Sequence, residues 1–228
     1  LQYDDVMNTQ REIIYKQRRQ VLDGEDLQNS IQNMLQSMVA NAIQGHMGEQ
    51  KHMDAENFRE AVSHFRAMFL PPNDLVLSNE ELAGYSAEQL TQMVLDRATA
   101  AYQRKEQEIT PPLMRELERV IMLRVVDEYW MDHIDAMTEL RQGIGLRAYA
   151  QSDPVVAYKE EGYEMFESMV AAIQEETLRR LFLVRLRQNE EVKRERVAKV
   201  TNESGSNDGT VKKRPVRRIV KIAPAEAA

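Results

Sequence analysis

TPPLMRELERVIMLRVVDEYWMDHIDAMTELRQGIG, residues 110–145, decides the fold. Thr110-Pro111 reads as a helix start, a capping residue followed by proline at the first helical position. From there Leu113, Leu117, Val120, Leu123, Val126, Trp130, Ile134, Met137 and Leu140 follow one another in steps of three or four. That spacing places them on one face of a long α-helix. Gln142-Gly143-Ile144-Gly145 reads as its stop. Pro154 marks a restart, and a second stripe follows: Tyr163, Phe166, Val170, Ile173, Thr177, Leu181 and Val184. Two long amphipathic helices joined by a loop of about a dozen residues predict an antiparallel helical hairpin.

The chain before the hairpin is helical too. Residues 1–22 predict a charged helix with a sparse stripe, Val6, Ile13, Ile14 and Val21, interrupted by Gln10 and Gln17. A sparse stripe suits a helix that bridges other parts. Asp23-Gly24-Glu25-Asp26 ends it. Leu27, Ile31, Met34, Leu35, Met38, Val39, Ala42 and Ile43 predict the next helix, ending near Gly45–Gly48. A third spans Ala55–Phe69 and stops at Leu70-Pro71-Pro72-Asn73. Ser86 with Gln89 three residues on is a capping box that opens a helix to about Glu108.

Composition agrees. The 228 residues hold nine glycines and seven prolines, too few for a many-stranded β fold. There is no cysteine, which excludes disulfide frameworks, thiolate zinc sites and cysteine nucleophiles. No apolar run nears the roughly 18 residues that suggest a membrane span. The start does not read as a signal peptide and does not open on Met, so the chain is read as a piece of a longer protein. The net charge of −7 conceals an asymmetry: residues 193–228 carry +6, which leaves residues 1–192 at −13. From about 191 onward the composition predicts a disordered tail. Within it Val211–Ile222 holds Lys212, Lys213, Arg214, Arg217, Arg218 and Lys221 and no acid. Such a run binds anionic lipid or nucleic acid, or is simply solvated.

No catalytic constellation stands out. Asp4 and Asp5 are adjacent, so on a helix they point about 100° apart and cannot share a proton. His46 and His52 are six apart, whereas helical metal ligands need spacings of three or four; His64 and His133 are isolated. Phosphate-binding glycine loops and serine elbows are absent from the sequence. The unusual stretch is Arg141–Pro154, where a hairpin tip carries Ile144, Leu146 and Tyr149 beside Arg141 and Arg147. Apolar and aromatic groups with arginine suit a contact surface, or they fold back under the tip.

Leu1–Asn8 (LQYDDVMN), Arg124–Met137 (RVVDEYWMDHIDAM) and Leu140–Pro154 resemble SecA, the ATPase motor family of bacterial preprotein export. The resemblance implies an all-α fold: the end of a long scaffold helix at 1–23, an inserted helical wing at 24–110, scaffold helices forming a two-helix finger at 111–190, and a basic C-terminal linker at 191–228. It implies that the finger tip contacts the SecY channel and the unfolded preprotein. The tip tyrosine maps onto Tyr149 through Leu146–Gln151, with Ile144, Leu146 and Arg147 as its neighbours. Tyr3, Asp4 and Asp5 would couple the scaffold to the family's nucleotide-binding domains and restrain ATP turnover. ATP and Mg²⁺ would be used there, with no cofactor or metal in this segment. The implied setting is the cytoplasm and the cytoplasmic face of the bacterial plasma membrane, with anionic phospholipid and a possible homodimer among its partners and nucleic acid unlikely to be one. The pattern departs from the family in two further ways. The zinc-binding Cys/His tail is missing, and position 145 is Gly where His is expected, which with Gly143 predicts a pliable tip. The competing readings from residues alone are a helical adaptor with a nucleic-acid- or lipid-binding tail, and a small helical metalloenzyme.

Overall fold

The computed structural model describes residues 2–24, 26–47, 52–147 and 153–185. Its frame is a pair of antiparallel helices, α6 (Pro111–Arg147) and α7 (Pro154–Leu183). At 1.5 Å per residue, the 37 residues of α6 extend about 55 Å. Before them come α1 (Gln2–Asp23), α2 (Leu27–Met47), α3 (Ala55–Arg66), α4 (Asn79–Leu82) and α5 (Ala87–Ile109). The described residues contain no strand, so the architecture is all-α. They fall within one compact unit, Leu1–Arg187.

Local chemistry sets the boundaries. Ser86 accepts from the Gln89 N–H while the Gln89 side chain accepts from the Ser86 N–H, the reciprocal bonds that the sequence predicts. Ser78 and Glu81 make the same box at α4, a one-turn helix not foreseen from the sequence. Asp153 caps α7 by accepting from the Val155 N–H, with Pro154 in the first turn. Thr110 closes α5 and opens α6 through its main chain: its N–H donates to the Glu106 carbonyl and its own carbonyl accepts from Met114. Its φ of 83° is a strained value for a β-branched residue.

α1 lies along α6 and α7 and makes the third helix of a bundle. α2 packs on α3, α5, α6 and α7. Leu27, Ile31, Leu35, Val39 and Ile43, one per turn, are all buried. They join Phe58, Val62, Phe65, Leu90, Val94, Val125 and Leu178 in one continuous core. An aromatic run crosses it: Phe65 stacks on Phe69 at 5.5 Å, and Phe69 lies 5.2 Å from Phe182 of α7.

Several expectations change. The stripe of α6 is correct from Val126 to Leu140 but out of phase before it. Met114, Glu118, Ile121, Met122 and Val125 face the core, while Leu113 lies outside and Val120 is 53% exposed. On α7 the buried positions are Tyr158, Gly162, Phe166, Met169, Ile173, Thr177, Leu178 and Leu181; Tyr163 is 59% exposed. α3 ends at Arg66 rather than Phe69. The helix expected to stop within Gln142-Gly143-Ile144-Gly145 continues to Arg147. Glycine costs a helix about 1 kcal/mol, and burial of Ile144 one residue on offsets that cost.

Candidate functional site

Residues singled out at the start of the chain and near the hairpin tip meet at one place. The first turns of α1 lie against the far end of α6 and the start of α7. The Tyr3 ring meets the Tyr158 ring edge-on, 4.8 Å between centroids. The Arg141 guanidinium sits 5.7 Å from the Tyr3 centroid and its Nη1 donates to Asp4 Oδ1 at 3.0 Å. Beneath them Met137, Ile144 and Tyr158 form a small buried cluster, flanked by Val6, Met7, Leu140, Ala157 and Met165. Asp4 and Arg141 are more than half exposed, so their ion pair contributes at most about 1 kcal/mol. The cluster is held chiefly by apolar contact.

Ile144 therefore does not project from the tip as a contact residue. It is 2% exposed, folded back onto Met137 and Tyr158. Asp5 is exposed, and its carbonyl accepts from Thr9 Oγ1. Leu146 and Arg147 close α6, and their side chains lie outside the described residues, as do Tyr149 and the tail residues Lys212, Lys213, Arg214, Arg217, Arg218 and Lys221.

One turn further along, three polar groups are buried between the helices. Gln10 Nε2 donates to the Gly162 carbonyl at 3.0 Å, which turns the amide oxygen toward His133. That oxygen lies 2.9 Å from His133 Nε2, so the imidazole carries its proton on Nε2 and donates. His133 is flanked by Trp130 and Phe166, with centroids 5.7 and 5.8 Å away. A Cβ on Gly162 would come within 2.8 Å of Met137 Cε, so any larger residue here requires the end of the Met137 side chain to move. Gln10 stands in phase with Val6 and Ile14, and that phase was the available signal; reading glutamine as an interruption hid it.

Burial holds the His133 imidazole below its ordinary value of 6.5. The neutral ring is favoured in the fold, so the unfolded chain takes up the proton first as pH falls. His133 should thus make stability decline as pH drops below about 6.5 and through the lower folded value. Urea midpoints at pH 7.5 and 5.5 check this: the His133→Gln chain should show the smaller difference.

A second buried polar group joins α5 to α6 at the opposite end. Tyr102 donates to Glu118 Oε1 at 2.6 Å, and Arg115 Nη2 donates to the Tyr102 oxygen and to Glu106 Oε1. Lys105 Nζ donates to the Phe182 and Val184 carbonyls at the end of α7. These contacts are internal and structural. Among the described residues no three His, Cys, Asp or Glu side chains come together as a metal site. His46 bonds the Ala42 carbonyl and His64 lies 3.2 Å from Glu175. No described helix is long and apolar enough to cross a membrane.

The profile of a family described as the SecA Wing and Scaffold domain matches residues 1–185. The chain belongs to the SecA family. Its relatives within the SecA family include three proteins named protein translocase subunit SecA. That of Pelotomaculum thermopropionicum is 46% identical over 222 residues, covering 97% of this chain and 24% of the relative. That of Clostridium acetobutylicum is 48% identical over 221 residues, covering 96% and 26%. That of Clostridium novyi is 46% identical over 209 residues, covering 92% and 24%. The chain thus spans about a quarter of the length of the SecA relatives it matches. The family profile ends two residues beyond α7, while the matches to the relatives cover nearly the whole chain.

Proposed function

We propose that this chain is the scaffold, wing and two-helix finger of a SecA-type protein translocase. In this reading residues 1–23 end the long scaffold helix, 24–110 form the wing, 111–190 form the returning helices and finger, and 191–228 form a linker. Nucleotide hydrolysis belongs to the three-quarters of the family protein outside the matched length. The 228 residues hold no phosphate-binding glycine loop, and no step of ATP chemistry is assigned to them.

The observation that carries the reading is the direct packing of Tyr3 and Asp4 on Tyr158 and Arg141. A displacement of α1 at Tyr3 is felt at once at the far end of the hairpin. The long helices of that hairpin transmit it, because a packed α-helix resists axial compression. Met137, Ile144 and Tyr158 brace the hairpin end, and Tyr149 is the group that touches the moving chain. An aromatic ring with a polar end can contact many side-chain types in an unfolded substrate. Tyr3, Asp4 and Asp5 face the motor and restrain ATP turnover; the SecY channel receives the tip, with Leu146 and Arg147 beside Tyr149.

In the intact translocase, Tyr149→Ala should reduce preprotein transport several-fold while leaving basal ATPase nearly unchanged. Equal loss of both would contradict the tip role. The basic run at 211–222 supports a location at the cytoplasmic face of the membrane, held by anionic phospholipid. Flotation with acidic liposomes should carry the whole chain upward but not one ending at Asn189; equal flotation of the two would remove the lipid assignment.

A further inference from the structure

The bundle of α1, α6 and α7 does not have one unbroken apolar core. The main core reaches Ile14 on α1, Trp130 on α6 and Phe166 on α7. The separate distal cluster has Met137, Ile144 and Tyr158 as its buried residues, with Val6 and Met7 on α1 and Met165 on α7 packed against it. Between the two, each helix contributes one residue to a transverse layer: Gln10, His133 and Gly162. Gln10 and His133 are almost wholly buried, and Gly162 has no side chain. The direct contacts among these three residues are hydrogen bonds, and the apolar contact at this level comes from their neighbours Trp130, Phe166 and Met137.

We propose that this layer is a built-in breakpoint, at which the distal hairpin, residues 137–147 and 154–165, opens away from α1 as a unit while the proximal core stays packed. The physical reason lies in what each side loses. Apolar contact makes a core open all at once, because parting any of it exposes the rest. A polar layer interrupts that coupling. When the distal end lifts, Gln10, His133 and the Gly162 carbonyl exchange their mutual hydrogen bonds for bonds to water, a nearly even exchange. Only three fully buried side chains, Met137, Ile144 and Tyr158, then become exposed. The Arg141–Asp4 pair across the opening is solvent-exposed and adds little resistance. Met7, partly exposed, touches both sides and is the main apolar bridge across the layer. The hydrogen bonds also fix register, since a slip of α1 by one turn would leave three buried polar groups unpaired.

Native-state hydrogen exchange on the whole chain tests this, independently of any transport role. Parted from α1, the two distal helix ends lose the packing that keeps short helices stable and unwind together, so amides of 138–147 and 158–165 should exchange on the order of 100-fold faster than those of 119–133 and 166–181. Ile173→Val, a mild change in the proximal core, should speed the proximal amides about fivefold and leave the distal ones unchanged. Gln10→Leu with His133→Leu should join the two clusters and slow the distal amides toward the proximal rate. Equal protection of both sets would overturn the proposal. So would an equal response of both sets to Ile173→Val, or a distal rate that the double change leaves as it was. The first two readings leave the layer untouched and stand whether or not the double variant folds.

Discussion

Glu118→Ala should lower the unfolding free energy by about 3 kcal/mol, near the lower end of what breaking a buried ion pair costs. Glu118 is fully buried on α6, accepts from the Tyr102 hydroxyl and lies 3.1 Å from Arg115. Alanine removes the acceptor, leaves the Tyr102 hydroxyl with no carboxylate and opens a cavity. The loss stays at the low end because Arg115 keeps Glu106 and is partly exposed. Glu118→Gln retains an oxygen for Tyr102 and should cost less than half as much. The two variants also differ in pH response. Burial raises the Glu118 carboxyl above its ordinary 4.5, outweighing the Tyr102 hydrogen bond and the Arg115 charge, which pull it down. A raised folded value favours the protonated form, so this group's contribution is full below about 4.5 and falls as pH rises through the folded value. Glutamine does not titrate, and its chain should lack that decline. Urea midpoints of the three chains between pH 4 and 7 measure both effects.

Phe65→Ala should cost about 3–5 kcal/mol, the range for truncating a buried aromatic. Phe65 is fully buried on α3, stacked on Phe69 and edge-on to His64. Phe69 carries the contact onward to Phe182 on α7, so the cavity lies where α3 meets the hairpin. The backbone there is pinned: the N–H groups of Met68, Phe69 and Leu70 all donate to the Phe65 carbonyl. Little collapse is available, which places the cost toward the upper end. Phe65→Leu keeps most of the volume and should cost about 1–1.5 kcal/mol. For a chain of this size each kcal/mol lowers the melting temperature by about 2–4 °C, so thermal scans should separate the two variants clearly.

Much of the fold was legible because its boundaries rest on local chemistry. Ser86 with Gln89, Thr110 before Pro111, and Asp153 before Pro154 mark helix starts by their own side chains or ring geometry. The phase of α6 was not legible. Leu113, Leu117 and Val120 make one apolar stripe, and Met114, Ile121 and Val125 make another one position on. Both fit a helical period, and α5 packing selects the second with Glu118 inside it. The continuation of α6 past Gly143 was hidden for a similar reason: local preference argues for a stop, and burial of Ile144 against Tyr158 overrides it.

The candidate site divided in the same way. Tyr3, Asp4 and Ile144 were named from the sequence, yet only folding shows that they meet. Ile144 was read as either a tip contact or a residue folded back under the tip, and it belongs to the brace beneath. Gln10 was passed over because a polar residue on an apolar face looks like an interruption, and His133 because it stands alone among candidate metal ligands. Their mutual bond spans 123 positions in the chain, and no local pattern reports it.

The most direct measurement is a hybrid. In the Clostridium acetobutylicum relative, residues 1–185 of this chain would replace the segment they match, and ATP-driven preprotein transport into membrane vesicles would be followed. The hybrid should transport preprotein within several-fold of its unmodified parent, and Tyr149→Ala within it should abolish most of that transport. A folded hybrid that still hydrolyses ATP but moves no preprotein would contradict the assignment.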